Sequence, residues 1–167
     1  MKALIVYKTD KPNVVDRFPK DTQIDYLDIN TPFEVKVKDY SVVYCDCLEA
    51  YEPRVVPDTI KRLYDCVAIK GELWISTNSF EFSANQAFVD VPHPAFHWAL
   101  FGNSDSPHRS AFTLRWLREL VENVGLIMRE AHQEKLIISN KGHELEVPIN
   151  FIVGWKYEIA NPAESIQ

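Results

Sequence analysis

The chain has 167 residues and a net charge of −6, with 24 Asp and Glu against 18 Lys and Arg and no basic run. That balance argues against a nucleic-acid backbone as partner, which needs a positive face, and no apolar run approaches the ~20 residues that span a bilayer. Its 46% hydrophobic and 25% charged residues are ordinary for a globular protein, and the length suits one domain with a proper core.

Met1 to Lys8 is too short and too quickly charged for a signal peptide. Three cysteines (Cys45, Cys47 and Cys66) are an odd number at non-disulfide spacing, which predicts a reduced, cytoplasmic setting.

Ala3 to Tyr7 reads as a first buried strand. The loop after it is Lys8-Thr-Asp-Lys-Pro-Asn13, and the first glycine of the chain is Gly71. Nucleotide-binding βαβ units carry glycines at this point so that the backbone can approach the ligand. Val14 to Phe18 leaves room for one helical turn before Pro19. Gln23 to Ile29 alternates as a second strand ending at Asp28. Asn30-Thr-Pro32 breaks it, Phe33 is expected to plug into the core, and Lys36 to Asp39 is a charged connection.

Tyr40-Ser-Val-Val-Tyr-Cys-Asp-Cys-Leu-Glu-Ala-Tyr51 reads as a buried strand running into an acidic, Cys-flanked loop. A strand apolar along its length belongs to a parallel sheet covered on both faces. Such sheets bind ligands at the carboxyl ends of their strands, which is where Asp46 and Glu49 fall.

Val56-Pro57-Asp58 marks a helix start, and Ile60, Leu63, Tyr64 and Val67 form one apolar stripe. Lys70-Gly71 reads as the helix stop, and Leu73 to Ile75 as the next strand, ending in Ser76-Thr-Asn78. This is a strand–helix–strand crossover of a parallel sheet. Residues 79–110 are irregular, with Pro92, Pro94, Pro107 and three of the five His; their aromatics (Phe80, Phe82, Phe88, Phe96, Trp98, Phe101) predict a pocket wall. Thr113 is an N-cap for a helix carrying Leu114, Leu117, Leu120 or Val121, and Val124, closed by Gly125. Leu126–Met128, Leu136–Ile138 and Ile149–Trp155 read as strands, with a turn at 140–142. No helix separates them, so antiparallel pairing follows. The expected organisation is one domain over 1–160 and a frayed tail over 161–167.

From Asp28 to Trp155 the chain resembles the later part of class I S-adenosylmethionine-dependent methyltransferases, the small type related to polysaccharide-locus enzymes. Four stretches carry the resemblance: Asp28-Ile-Asn-Thr-Pro-Phe33; Tyr40 to Tyr51; Asp58 to Thr77, which contains Ile-Lys-Gly-Glu; and Phe101-Gly102 through His108-Arg109-Ser-Ala-Phe-Thr113 to Gly125. The chain departs from the family in its glycine-free first loop. It has Ile-Lys-Gly-Glu where relatives carry Pro and a second Gly, and Ala50-Tyr51 where they often show His.

The resemblance implies an α/β, Rossmann-like, mostly parallel sheet with an antiparallel C-terminal strand and a shortened N-terminal part. It implies S-adenosylmethionine as cofactor and a small or sugar-like methyl acceptor. The alternative is a methyltransferase-like binding or assembly module that has lost the cofactor loop.

Tyr7, Asp28, Asp46 and Cys47 are the candidate cofactor-facing residues, Asp28 facing either ribose or adenine. His108 is the candidate general base and Asp46 a second proton acceptor. Glu49, Asn78 and Arg109 are the candidate acceptor-binding set, Arg109 suiting an anionic group. A zinc site at His93 and His97 has Pro94 between its ligands and no Cys-x-x-Cys pair to complete it, so no metal is expected. A shortened sheet also exposes an edge strand near the N-terminus, through which a homodimer would pair.

Overall fold

The computed structural model describes residues 1–8, 14–28, 39–88, 101–102, 107–140 and 143–157. Its strands are β1 (Lys2–Tyr7), β2 (Gln23–Asp28), β3 (Tyr40–Cys45), β4 (Val67–Asn78), β5 (Ile127–Asn140) and β6 (His143–Trp155). They form one sheet in the order β2-β1-β3-β4-β6-β5. The first four run parallel, and β6 is antiparallel to both β4 and β5. Among the described residues the α-helices are α1 (Val56–Cys66), α2 (Phe80–Phe88) and α3 (Leu114–Asn123).

β1 and β3 are central because their side chains have nowhere else to go. Ala3 to Val6 and Val42 to Cys45 are buried on both sides, as a parallel strand between two layers requires. One face packs Leu4, Val6, Val43, Cys45, Leu73, Ile75 and Ile152 against Ile60 and Leu63 of α1 and Leu117 and Val121 of α3. The other face groups Ala3, Ile5, Val42, Tyr44, Phe151 and Val153 with Val14 and Phe18. Among the described residues the cover there includes a 3-10 turn, Val15–Arg17. Phe18 stacks on Trp74 with centroids 5.4 Å apart, and Arg17 lies 4.9 Å over the Phe151 ring while pairing with Glu134 at 2.7 Å.

The expected α/β architecture and the antiparallel end are present, and Thr113 caps α3 by accepting from the Trp116 N–H at 3.1 Å. Gly125 follows that helix with φ +92°, the left-handed backbone that makes glycine the economical stop.

Gly71 does a different job from the one its position suggests. Helix α1 ends five residues earlier, at Cys66, and the Lys156 ammonium donates to the carbonyls of Tyr64 and Val67 at 3.1 and 2.8 Å. A cation on the last carbonyls satisfies and complements the helix terminus. The left-handed residue is Lys70, at φ 65°. Gly71 instead sits inside β4, where the register to β3 slips between Tyr40 and Val42 and brings three backbone oxygens close.

Two other expectations change. Residues 80–88 form a helix rather than irregular chain, and Phe80 and Phe101, expected in a pocket wall, are 41% and 60% exposed. β5 and β6 form a long hairpin, paired from Ile127↔Trp155 to Asn140↔His143, where only short strands were legible. β5 lies at the sheet edge, so polar residues such as Arg129, Glu130 and His132–Lys135 can occupy it and hide its strand character. Phe33, the zinc candidates His93 and His97, Phe96, Trp98 and the tail lie outside the described residues. Among the described residues no group of three His, Cys, Asp or Glu could hold a metal ion, and no helix is long and apolar enough to cross a membrane.

Candidate active site

The chain leaves β1 to one side to form β2, then returns to the other side to form β3. The crevice at the carboxyl ends of β1 and β3 is therefore the topological switch point, where open α/β sheets bind ligands. The sequence candidates gather along this edge. Tyr7 and Asp28 are register partners at the ends of β1 and β2, and Val6 is the partner of Cys45. Both Tyr7 and Asp28 are half-buried. The Cys47 thiol donates to the Val6 carbonyl at 3.7 Å and lies 3.8 Å from Cys45 Sγ. Asp46, between the two cysteines, directly follows the end of β3 at this edge.

The next turn of chain, Leu48–Ala50, is a 3-10 turn that carries Glu49 inward, to 5% exposure. Its Oε1 accepts from the Asn78 N–H at 2.5 Å, tying the β3 loop to the end of β4. Its main-chain carbonyl accepts from the N–H groups of Arg109 and Ser110 at 2.6 and 3.1 Å. Ser110 Oγ adds a bond to the Tyr51 carbonyl at 2.5 Å. The segment before α3 is thus laced across the Glu49 turn. His108 enters it through its N–H, which donates to the Phe101 carbonyl at 3.0 Å. The Arg109 side chain is exposed and pairs with Glu52 at 3.7 Å.

Burial sets the electrostatics. It pushes the Asp46 carboxyl up to about 7, against a slight opposing effect of its own backbone N–H. It pushes Glu49 to about 8, with the Asn78 N–H opposing and the Asp46 charge reinforcing. The Cys47 thiol is held well above its ordinary range, first by its bond with Cys45 and then by burial. Cys47 is therefore a poor nucleophile, whereas Asp46 exchanges a proton near neutrality, as a general base must.

Sequence reading passed over a second layer of polar groups beneath this edge. Ser79 and Asn150 are fully buried, and Gln133 bridges them with bonds of 2.7 Å to Ser79 Oγ and 3.2 Å to Asn150 Oδ1. The signal was present in the sequence: Asn150 is the one polar residue in the apolar run Ile149–Val153.

No family model and no curated protein matches the chain. Solved structures do. A proposed methyltransferase of Bacillus halodurans is similar over 94% of this chain and 92% of its own, at 12% identity and a TM-score of 0.60. A SAM-dependent methyltransferase of Methanosarcina mazei matches over 93% and 92%, at 8% identity and a TM-score of 0.57. The Burkholderia thailandensis 1,6-didemethyltoxoflavin-N1-methyltransferase, solved with 1,6-didemethyltoxoflavin and S-adenosylhomocysteine, matches over 94% and 71%, at 12% identity and a TM-score of 0.55. The chain has the class I methyltransferase fold. On this methyltransferase fold the carboxyl edge of β1 to β4 holds Tyr7, Asp28, Asp46, Cys47, Glu49 and Asn78, with His108 and Arg109 arriving from the segment laced to Glu49.

Proposed function

We propose that the protein is an S-adenosylmethionine-dependent methyltransferase acting on a small or sugar-like acceptor. The observation that carries this reading is Asp46, a proton acceptor poised near neutrality at the switch point of a methyltransferase sheet. The residues of the edge suit the cofactor chemically. The Asp28 carboxylate at the end of β2 is an acceptor for a pair of hydroxyls, the half-buried Tyr7 ring offers a flat apolar surface, and Asp46, once deprotonated, complements a positive charge. Among the described residues the sheet order places Asp28 beside β1, which favours the ribose side for it.

The bound cofactor supplies an electrophilic methyl group on a cationic sulfur. The protein's own share is alignment and removal of a proton from the acceptor. In this reading Asp46 takes that proton, with His108 as the other base, while Glu49, Asn78 and Arg109 border the acceptor side. Turnover then rises with pH through about 7, as Asp46 loses its proton.

Calorimetry with S-adenosylmethionine and S-adenosylhomocysteine tests the reading before any acceptor is known. Both should bind, and Asp28→Ala should weaken them about tenfold, the worth of one hydrogen bond to a charged group. No heat and no thermal shift with either ligand would leave the non-catalytic module as the better reading.

Cys45, Cys47 and Cys66 are buried and form no disulfide, which supports a reducing, cytoplasmic location. β2 ends the sheet with one side unpaired among the described residues, which supports a homodimer joined edge to edge. Light scattering should give twice the 19.3 kDa chain mass. A monomer mass across a concentration series removes the dimer.

A further inference from the structure

The loop that carries His108 and Arg109 is fastened at two places. At one, the Glu49 turn, the N–H groups of Arg109 and Ser110 donate to the Glu49 carbonyl at 2.6 and 3.1 Å and Ser110 Oγ donates to the Tyr51 carbonyl at 2.5 Å. At the other, the Phe112 carbonyl accepts from Asn150 Nδ2 at 3.0 Å and from the Phe80 N–H, also at 3.0 Å. Asn150 lies on β6, 38 residues further along the chain, and is fully buried. A polar side chain in an apolar strand is retained only with its hydrogen bonds made, and here both ends of the amide are engaged. Its Oδ1 accepts from Gln133 at 3.2 Å, and Gln133 donates to Ser79 Oγ at 2.7 Å. Ser79 in turn contacts Glu81, whose other oxygen accepts from the Leu114 N–H at 3.0 Å, at the start of α3. Two side-chain amides of the C-terminal hairpin, Asn150 and Gln133, thereby tie the loop, the end of β4, α2 and the start of α3 together.

We propose that Asn150 is a positioning residue that holds the Arg109–Phe112 segment across the Glu49 turn and so keeps the Glu49 carboxyl away from water. This deepens the reading of the edge as a methyl-transfer site, on which its functional meaning rests, but the contacts themselves need no ligand. The groups that face Glu49 fit the role. Asp46 and Cys47 come from its own loop, and β4 offers it the neutral Asn78 N–H. The crossing segment turns the Arg109 guanidinium away, to Glu52. With that guanidinium engaged elsewhere, the seal sets the basicity of Glu49.

The test is carboxyl NMR titration and amide hydrogen exchange on the ligand-free protein, wild type against Asn150→Ala. Glu49 should titrate near 8 in the wild type and at least about one unit lower in the variant, as water reaches it. Exchange at the Arg109 and Ser110 amides should quicken about tenfold, the equivalent of about 1.4 kcal/mol, while the α1 amides keep their rates. A folded variant with an unchanged Glu49 midpoint and unchanged amides overturns the proposal. So does uniform acceleration of all amides, which is the mark of a merely structural residue. Should Asn150→Ala fail to fold, Gln133→Ala on the edge strand decides: a smaller shift in the same direction supports the role, and none overturns it. Absent S-adenosylhomocysteine binding, measured separately, removes the methyltransferase reading and leaves the Glu49 result standing.

Discussion

Above neutral pH the Glu49→Gln protein should be more stable than the wild type, and at pH 4 the two should be alike. Glu49 has an ordinary value of 4.5 when the chain is unfolded and about 8 when folded, because burial disfavours its charge. The folded state therefore holds a proton that the unfolded state has released anywhere between about pH 4.5 and 8. Where the folded form binds more protons, stability falls as pH rises. The full contribution is present below the unfolded value and is lost on the way up to the folded one. A shift of this size corresponds to on the order of 3 to 5 kcal/mol, at about 1.4 kcal/mol per unit. Glutamine resembles the protonated carboxyl, keeps an acceptor for the Asn78 N–H and removes the titration. Urea unfolding at pH 4, 6 and 8 reads this directly. Parallel pH profiles for the two proteins would mean that Glu49 is not desolvated as described. Asp46→Asn should flatten the profile over the lower part of the range, from 3.8 to about 7.

Gly71→Ala should lower stability by about 2 to 4 kcal/mol, which for a chain of this size is roughly 10 °C in Tm. A Cβ at this position would lie 2.9 Å from each of Ala68 O, Ser41 O and Tyr40 O. All three are backbone atoms in paired or buried chain, so none can step aside as a flexible side chain would. The strain falls on the junction of β3 and β4, the two strands whose carboxyl ends carry Asp46, Glu49 and Asn78. Differential scanning calorimetry of Gly71→Ala against Gly125→Ala separates this crowding from backbone conformation. Gly125 has open space around its missing Cβ and is limited by its φ of +92° alone, so its substitution should cost about 1 kcal/mol. Equal losses at the two sites would count against the close approach at Gly71.

Much of the fold was legible because its signals are local. The unbroken apolar runs of β1 and β3 require burial on both faces, and that alone implies a parallel sheet. Thr113 and Gly125 bracket α3 by side-chain and backbone chemistry that any helix end demands. The acidic loop after β3 was readable as a candidate site because strand ends are where such sheets keep their chemistry. The long β5–β6 hairpin was not legible, since an edge strand tolerates polar residues on its open side. The end of α1 was misplaced because Lys156, the group that caps it, comes from 90 residues away in the sequence and leaves no local trace.

The sequence by itself determined β1 to β3, the strand–helix–strand crossover, the capped helix α3 and the acids at the end of β3, since these follow from side-chain size, polarity and spacing along the chain. Only the tertiary structure decided what those acids are. Glu49 is drawn inside and bonded by Asn78, and the segment of His108 and Arg109 is fastened over it by Glu49 and Asn150. Basicity depends on how far a carboxyl is from water, and that distance is set by chain brought from 60 and 100 residues further on.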